Sequence, residues 1–410
     1  MFINKYRSVH TNMENKLYYQ DAYIKTFKAK VVKQAQDSAG NWYVCLDRTA
    51  FYPTGGGQPH DIGTLAYQHV INVEEIDGEI RHYLSTPFQD TKKEIAGTID
   101  WERRFDHMQQ HAGQHLLSAA FDQLFEYRTV GFHLGAEILT IDLETEVLTV
   151  HQVQKAEEMA NQIIIENRPI EVKWVTEEEL TQYPLRKETK VKDDIRLVII
   201  PEFDYNGCGG THPNATGEVS SVKVLDWERQ KKKVRVQFVC GKRVTKQFQQ
   251  KQQVLLELTK ILNAPEKEME QAVLRLLESN KTLEKTLEQA QENLLQYEAK
   301  ELLARSNVDD RKLVRVVFQN RTIQELQKLA RIITTEDETA MVYFVSQNEN
   351  RLQVVCARGT SGTGSMKKVV SAALPLINGK GGGNDAFAQG GGDALMSGEQ
   401  MLQHLVENVY

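Results

Sequence analysis

The first third of the sequence contains the stretch RFDHMQQHAGQHLLSAAFDQLFE, from Arg104 to Glu126. Its later apolar residues recur at spacings of three and four, which predicts an α-helix. His111 and His115 stand four residues apart in this helix, so both imidazoles project from one face and can share one metal ion. His107 extends the series, but about 12 Å of helix rise separates it from His115, too far for one ion to collect all three. The stretch therefore predicts a helix that carries half of a metal site.

The matching half-site lies far downstream in YNGCGGTHPN, residues 205–214. Glycines on both sides of Cys208 let the backbone curl, so its thiolate and the imidazole of His212 can converge at the roughly 2.0 to 2.3 Å that Zn²⁺ requires. Sulfur with imidazole favours zinc over magnesium or calcium. Each pair is weak evidence alone, but together they predict one zinc site. Four protein ligands fill a tetrahedral shell, the pattern of a structural site, so scaffolding and catalysis both stay open.

Upstream of the helix, short alternating segments predict an all-β module that could close into a small barrel. Two strands fall within residues 29–47, and Asp77-Gly78 is typical of a hairpin turn between two later strands. The loop FYPTGGGQPHDIG, residues 51–63, lies between these pairs. Its three successive glycines would let the backbone approach a ligand closely, and Gln58 offers both a donor and an acceptor. The alternative is a tight barrel turn.

Downstream of the helix the pattern is mixed α+β. The sequence predicts one helix and four strands, at residues 152–166, 170–175, 196–201, 217–225 and 233–239. A basic segment follows in residues 226–251, where Asp226 and Glu228 are the acidic residues opposing nine bases. The bases are Arg229, Lys231, Lys232, Lys233, Arg235, Lys242, Arg243, Lys246 and Lys251. This excess could bind phosphates, and the alternative is a charged, solvated strand face.

A heptad pattern covers the segment from Met269 to Tyr297, where apolar residues alternate spacings of four and three over about four heptads. Asn280 is a polar member of this seam. Pro265 would interrupt any helix that continues from upstream. The seam could therefore close a helical hairpin within the chain or form a homodimer. Beyond Arg305, strands and helices alternate over roughly 100 residues, which predicts a compact α/β domain.

These patterns predict an α+β multidomain protein of four parts. A small N-terminal β-barrel with the glycine motif spans residues 1–95, and a mixed α+β zinc-binding domain spans residues 96–245. A helical coiled-coil segment, residues 246–305, leads to the C-terminal α/β domain at residues 306–410. The length of 410 residues, with 40% apolar and 26% charged residues, fits a soluble globular protein of several domains.

Composition also limits the cellular compartment and the binding partners that we expect. The four cysteines, Cys45, Cys208, Cys240 and Cys356, lie too far apart to suggest a secreted disulfide scaffold. No apolar run approaches the roughly 18 to 20 residues of a membrane helix, and the N-terminus lacks a signal-peptide centre. We therefore expect a cytoplasmic protein with no membrane partner. The formal charge of −6 gives no reason to expect a nucleic-acid partner, so any RNA contact must be a local patch.

The motifs carry a family resemblance when they are taken together. HAGQH with CGGTH, preceded by FYPTGGGQPHDIG and followed by KGGGNDAFAQGGG, resembles the editing half of alanyl-tRNA synthetase. The chain is more similar still to the free-standing alanyl-tRNA editing proteins of the long, C-terminally extended type. Three motifs in the right order make the resemblance specific, and it spans nearly the whole chain. No aminoacylation domain fits into the sequence.

The resemblance implies an ester hydrolase that acts in trans. Its substrate would be the alanine tRNA, tRNA(Ala), that carries the wrong amino acid, chiefly serine and also glycine. The implied zinc ligands are His111, His115, Cys208 and His212. Zinc could orient the amino group of the substrate or activate water, and we favour orientation. A separate hydrolytic step that removes serine is expected, because an apolar pocket that selects alanine rejects serine only weakly.

The same resemblance places further residues near the substrate. The glycine motif would line the pocket that distinguishes serine from alanine, through Gly55, Gly56, Gly57, Gln58 and Asp61. Gln58, Thr129 and His133 are the candidate catalytic residues. For Thr129 and His133, contacts to the substrate hydroxyl and plain core or strand-edge roles both stay open.

The C-terminal motif KGGGNDAFAQGGG, residues 380–392, resembles the glycine-rich signature of a domain shared with DHH-type phosphoesterases and the synthetase C-terminus. That domain is associated with tRNA binding or dimer contacts. The amides of Gly381, Gly382 and Gly383 beside Lys380 could cradle a phosphate. Asn384 stands where the family often has a basic residue, which weakens this interpretation.

Three function classes compete. The favoured hypothesis is a zinc-dependent aminoacyl-tRNA editing hydrolase. The alternative is an RNA-binding or dimerising module whose zinc only holds the fold. A phosphoesterase is disfavoured, because the sequence has no Asp-His-His run and no paired-aspartate constellation for two metals.

Overall fold

The structure is a computed structural model that describes residues 14–89, 94–189, 194–308 and 311–407. The chain forms two compact units that divide between Glu257 and Leu258. The predicted division into four parts is not tested by this boundary and stays a prediction. Among the described helices, none is both long and apolar enough to cross a membrane.

The N-terminal unit begins with a closed six-stranded barrel, as predicted. After a four-residue helix, α1 (Leu17–Gln20), its strands are β1 (Thr26–Gln36), β2 (Trp42–Leu46), β3 (Gly63–Leu65), β4 (Gln68–Ile76), β5 (Glu79–Leu84) and β6 (Glu94–Ile99). They pair antiparallel in the order β1-β2-β5-β4-β3-β6. Asp77 and Gly78 both adopt positive φ, which confirms the hairpin turn between β4 and β5. The barrel interior is filled by apolar side chains such as Phe51 and Leu65.

The predicted histidine helix is α2 (Trp101–Phe125). Asp100 caps it by accepting a hydrogen bond from the amide of Arg103, and Glu126 ends it in the left-handed conformation. Every residue from His107 to Phe121 is buried, so α2 is the central helix of its unit. A Cβ at Gly113 would overlap the sulfur of Cys240, which explains the glycine at this close approach.

Two sheets and two further helices follow α2 in this unit. Their elements are β7 (Thr129–Leu134), β8 (Leu139–Leu143), α3 (Val150–Ile165), β9 (Glu171–Val175), α4 (Glu177–Leu180), β10 (Ile195–Ile200), β11 (Asp204–Gly207), β12 (Val222–Gln230) and β13 (Lys233–Cys240). The first sheet has the order β11-β10-β9 and the second β12-β13-β8-β7. A capping box formed by Thr149 and Gln152 begins α3.

The predicted strands of this region need two corrections. The strand expected at 217–225 begins only at Val222, because Thr216–Val219 form a 3₁₀ turn and Ser220 takes a positive φ that ends it. Strands β7, β8 and β11 lie outside the predicted segments. Each has only four to six residues, too few for a clear alternating pattern.

Two long helices follow, α5 (Lys242–Leu262) and α6 (Met269–Arg305), with the 3₁₀ turn Glu266–Glu268 between them. Pro265 stands before that turn, as the sequence predicts for a helix break. The heptad seam on α6 is exposed; Leu276, Leu283 and Leu287 are all about 60% accessible. Its pairing, within the chain or between two chains, stays a prediction.

The C-terminal unit carries a six-stranded sheet and three further helices. Its elements are β14 (Asn307–Val308), β15 (Arg311–Gln319), α7 (Ile323–Glu336), β16 (Met341–Asn348), β17 (Arg351–Arg358), α8 (Met366–Ala373), the 3₁₀ turn Leu374–Ile377, β18 (Lys380–Gly383), β19 (Phe387–Asp393) and α9 (Gly398–Glu407). The sheet has the order β14-β15-β16-β17-β19-β18, with β15 and β16 parallel. Separate apolar cores lie on its two faces. The C-terminal unit thus combines helices with a mixed sheet, and its assignment as an α/β domain stays a prediction.

The predicted phosphate cradle at Lys380–Gly383 has a different geometry from a loop. These residues form the edge strand β18, which pairs antiparallel with β19. Successive amides of a strand point in opposite directions, so they cannot converge on one phosphate as the amides of a curled loop do. A phosphate contact by this segment stays a prediction, without the cradle.

Candidate metal centre

The four predicted ligands meet at one point of the N-terminal unit. His111 and His115 come from α2, and Cys208 and His212 come from the loop after β11. Their ligand atoms all lie within 4.8 Å of one another. The Sγ atom of Cys208 lies 3.4 Å from Nε2 of His111 and 3.3 Å from Nε2 of His212. Two ligands of one tetrahedral zinc stand about 3.6 Å apart, so this group, the quartet, has suitable spacing for one ion.

The loop that carries Cys208 is fixed by backbone contacts. The amide of Cys208 donates to the carbonyl of Arg196, and the Arg196 guanidinium donates to the carbonyl of Cys208 at 2.7 Å. The amide of Gly210 points at the sulfur, 3.4 Å away. A Cβ at Gly210 would overlap the ring of His111, so only glycine lets the loop come this close to α2.

Gln58 of the glycine motif holds the imidazole of His111. Its Oε1 atom lies 3.0 Å from Nδ1 of His111 and accepts a hydrogen bond from the amide of Thr211. Its Nε2 atom donates to the Thr211 hydroxyl at 2.8 Å. Because an amide oxygen only accepts, the proton of His111 lies on Nδ1 and Nε2 is left free as a ligand. Gln58 is completely buried behind His111.

His115 is held in the same way by a carboxylate. Its Nδ1 atom lies 2.9 Å from Oδ2 of Asp204, and Nε of Arg186 donates to Oδ1 of Asp204 at 2.7 Å. Neither Asp204 nor Arg186 was among the predicted site residues. The signal in the sequence is an aspartate four residues before Cys208, because metal-bound imidazoles commonly donate to a carboxylate.

The electrostatics of the quartet favour a thiolate. Burial raises the pKa of Cys208, but the imidazoles of His111 and His212 outweigh it and hold the pKa well below the usual value of a thiol. At His115, burial lowers the pKa, while hydrogen bonds to Asp204 and Cys208 outweigh it and raise the pKa to about 9. Thiolate is the form of cysteine that binds metal.

Asp61 is held by an arginine of α2. Its carboxylate is completely buried, pairs with Arg104 at 3.0 Å from Nε, and accepts a hydrogen bond from the amide of Tyr52 at 2.6 Å. Arg104 also donates to the carbonyls of Ala22 and Ala50. The structure therefore gives Asp61 a structural contact, which ties the glycine motif to α2, and its expected position on the pocket wall stays a prediction.

The glycine motif forms a tight turn beside the quartet. Gly55 and Gln58 exchange backbone hydrogen bonds, and Gly56 and Gly57 both adopt positive φ. A Cβ at Gly57 would come within 2.9 Å of the ring of Phe132. That ring stacks on His111 with 5.6 Å between the ring centroids. The glycines thus allow an aromatic wall next to the metal ligands.

The other two predicted catalytic residues lie on β7. Thr129 donates from Oγ1 to the hydroxyl of Ser118 at 2.9 Å, one turn after His115 on α2. His133 is exposed and follows Phe132 directly, so strand alternation places it on the face opposite the ring that stacks on the quartet. The structure does not bring His133 to the metal ligands.

Most of the basic segment is neutralised by acidic residues from earlier parts of the chain. Five bases form ion pairs: Arg229 with Glu146, Arg235 with Asp142, Lys242 with Glu102, Arg243 with Asp106 and Lys246 with Glu137. Lys231 and Lys232 form the turn between β12 and β13, and Lys233 is the first residue of β13. The local excess of charge is therefore smaller than the sequence implies, and a phosphate contact here stays a prediction.

The chain is similar to known proteins over nearly its whole length. Residues 195–237, which include Cys208 and His212, match the family described as threonyl and alanyl tRNA synthetase second additional domain. Alanyl-tRNA editing protein AlaX-L of Pyrococcus horikoshii is 30% identical over 400 residues, covering 92% of this chain and 94% of that protein. Alanyl-tRNA editing protein Aarsd1-A of Xenopus laevis is 29% identical over 383 residues, or 91% of each chain.

A longer relative and a solved structure extend the comparison. Alanine–tRNA ligase of Pyrococcus abyssi is 28% identical over 418 residues, covering 95% of this chain and 43% of the ligase. The C-Ala domain of Aquifex aeolicus alanyl-tRNA synthetase covers 25% of this chain at 25% identity, with a TM-score of 0.23 that is too low to establish a common fold. From the full-length relatives, the chain belongs to the family of free-standing alanyl-tRNA editing proteins.

Proposed function

We propose that this protein hydrolyses the ester bond of tRNA(Ala) that carries the wrong amino acid. Serine is the expected amino acid and glycine the second candidate. The observation that carries the proposal is the convergence of His111, His115, Cys208 and His212. Family membership supports it, because the full-length relatives are named as alanyl-tRNA editing proteins.

We further propose zinc as the ion of the quartet. The donor set of one sulfur and three imidazoles is one that zinc prefers, and the spacing between sulfur and nitrogen suits a tetrahedral ion. Gln58 and Asp204 each fix the far nitrogen of one ligand, which leaves Nε2 for the metal. Nδ1 of His212 has no hydrogen bond to any residue that the structure describes.

The side chains around the quartet would prepare the ester for attack. Zinc bound there would supply a Lewis acid that holds the amino group of the substrate or lowers the pKa of water toward about 7. Phe132 covers one face of His111 and keeps water from that side. The turn at Gly55–Gly57 lies beside this ring, and its contact with the substrate is part of the proposal. Thr129 stays the candidate contact to a serine hydroxyl, and its own hydroxyl is already oriented by Ser118.

Alanine would be rejected as a substrate because it lacks the side-chain hydroxyl group of serine. A site that hydrogen-bonds a hydroxyl leaves its own polar groups unpaired when alanine enters, so correctly charged tRNA would be spared. This is the second sieve that a synthetase with an apolar alanine pocket requires. tRNA(Ala) is therefore the proposed partner.

The alternative, a module with a structural zinc, also has an observation in its favour. Four protein donors fill a tetrahedral shell, and the three histidines of the quartet are each at most 5% exposed. Such a protein would bind zinc and RNA without cleaving an aminoacyl ester. The two proposals predict different results for one measurement, the rate at which the protein deacylates mischarged tRNA.

The deciding experiment is a deacylation panel with seryl-, glycyl- and alanyl-loaded tRNA(Ala). We expect fast release of serine, slower release of glycine and spared alanine. Cys208→Ser should lose zinc and activity together, whereas Cys45→Ala, a change at a buried barrel cysteine, should keep both. No deacylation by zinc-loaded protein would favour the structural alternative.

A further inference from the structure

His107 is a buried histidine of α2. It is 4% exposed, and its Nδ1 atom has no hydrogen bond to any residue in the described part of the chain. Buried polar side chains are nearly always hydrogen-bonded, so an unbonded one marks a place where a ligand or water belongs. His107 lies one helical turn before His111 on the same face of α2.

Cations surround this imidazole. Burial, followed by the guanidinium groups of Arg103 and Arg243, lowers the pKa of His107 to about 3, so the ring is neutral and can donate one N–H. The same guanidinium of Arg103 lies near His60 of the glycine motif. Arg103 and His107 therefore lie on α2 beside the glycine motif, which Arg103 contacts through the carbonyl of His60.

Arg103 differs from its neighbours because no carboxylate in the described part of the chain pairs with it. Arg104 pairs with Asp61, and Arg243 pairs with Asp106. Arg103 donates from Nε to the carbonyl of His60 at 3.1 Å, and within the described residues its terminal nitrogens make no hydrogen bond or ion pair. The two terminal nitrogens of this half-buried guanidinium form one edge that can bind a phosphate in a bidentate manner.

The spacing along α2 relates this site to the quartet. Arg103, His107 and His111 follow one another at intervals of four residues, which is about 6 Å of rise per interval. A nucleotide whose 3′ ester lies at the quartet carries its own 5′-phosphate on the other side of the ribose. That phosphate would lie one to two helical turns from His111, at the level of His107 and Arg103.

We propose that Arg103 and His107 form a phosphate subsite, which receives the 5′-phosphate of the aminoacylated terminal nucleotide of the tRNA. Arg103 supplies the charge and the paired N–H groups, and His107 donates a further N–H from the buried side. This proposal rests on the proposed function. It would give the enzyme a contact to the tRNA end that is independent of the amino acid and of the metal.

The test compares two stable ligands on the zinc-loaded wild-type protein. One is 3′-amino-3′-deoxyadenosine acylated with serine, an amide analogue of the ester, and the other is the same molecule with a 5′-phosphate. Isothermal titration should show about tenfold tighter binding of the phosphorylated ligand. Equal affinities in the wild-type protein would overturn the proposal without any variant.

Variants assign the gain to the residues. Arg103→Met should bind both ligands equally, at the affinity that the wild-type protein has for the unphosphorylated one, and His107→Phe should lose part of the gain. The control Arg48→Met removes an exposed barrel arginine and should keep the full gain. A full gain in Arg103→Met would refute the subsite. Deacylation of seryl-tRNA(Ala) by the same wild-type sample tests the proposed function separately. Activity without tighter binding of the phosphorylated ligand would refute only the subsite.

Discussion

The Nδ1 atom of His115 lies 2.9 Å from Oδ2 of Asp204, and both side chains are almost completely buried. Arg186 holds the other carboxylate oxygen at 2.7 Å. Hydrogen bonds from Arg186 to Asp204 and between Asp204 and His115 therefore fix the imidazole ring of His115, whose Nε2 atom faces the other members of the quartet. A carboxylate in this position normally fixes the tautomer of a metal-bound imidazole and raises its basicity.

Asp204→Asn should weaken zinc binding by about 10- to 100-fold, because the amide cannot supply the same charge and can present its N–H groups to His115. Competition with a chelator of known affinity measures the change. Asp226→Asn, a change at an exposed residue of β12, is the control and should bind zinc like the wild type. Wild-type affinity in Asp204→Asn would show that the carboxylate does not support a ligand.

Gly210→Ala should abolish zinc binding, because a Cβ at this position would overlap the ring of His111. Backbone atoms carry the new group, so the loop with Cys208 must move away from α2. Gly382→Ala is the matched control, because a Cβ there meets open space. Zinc content of the two purified proteins decides the matter, and stoichiometric zinc in Gly210→Ala would contradict the close approach.

Gln58→Leu separates a catalytic role from a positioning role. If Gln58 acts by holding His111 and Thr211, its loss should reduce zinc affinity and deacylation together, and the effect on the rate should shrink when zinc is in excess. If Gln58 contacts the substrate, the rate should fall while zinc affinity is unchanged. Its complete burial behind His111 leads us to expect the first result.

Asp61→Asn should destabilise the N-terminal unit by about 3 to 5 kcal/mol, because it leaves the buried guanidinium of Arg104 without its charge partner. All four tryptophans, Trp42, Trp101, Trp174 and Trp227, belong to this unit, so tryptophan fluorescence during urea unfolding reports on it alone. Unchanged stability together with impaired selectivity for serine would restore the expected role of Asp61 as a pocket residue.

Local patterns were sufficient to predict the barrel and the histidine helix, but not the short strands β7, β8 and β11. Spacing within one helix and one glycine-rich loop predicts the four residues of the quartet, because residues four apart are neighbours in a helix and glycines let the loop bring Cys208 and His212 together. The support for the quartet could not be read in the same way. Asp204 is 89 residues from His115, and their contact depends on how β11 packs against α2.

Charge is the property that the sequence describes least well here. The basic segment 226–251 has an excess of positive charge along the chain, yet its arginines fold against Glu146, Asp142 and Asp106, which belong to distant elements. Conversely, Arg103 stands next to Arg104 in the sequence, and only the fold gives a carboxylate to one of them. Net local charge depends on tertiary pairing, which no linear pattern records.

The last prediction concerns pH and the barrel. His82 is completely buried, with Nδ1 at 3.1 Å from the carbonyl of Val44 and Nε2 at 2.8 Å from the hydroxyl of Thr49. Burial lowers its pKa to about 4, although the carbonyl of Val44 partly opposes this. The unfolded chain, with a histidine pKa near 6.5, therefore binds more protons than the folded protein between about pH 6.5 and pH 4. Stability is fully present above this window and is lost as the pH falls through it.

At pH 5 the loss that belongs to His82 should be about 2 kcal/mol relative to pH 7. Urea unfolding followed by tryptophan fluorescence gives the free energy of unfolding at both pH values. His82→Gln should reduce the difference between pH 7 and pH 5 by about this amount, whereas His151→Gln, at an exposed position of α3, should leave it as in the wild type. Comparing differences cancels the contributions of the other buried histidines, which both proteins share. The same pH dependence in His82→Gln and the wild type would show that this imidazole is already protonated, or already exposed, in the folded barrel.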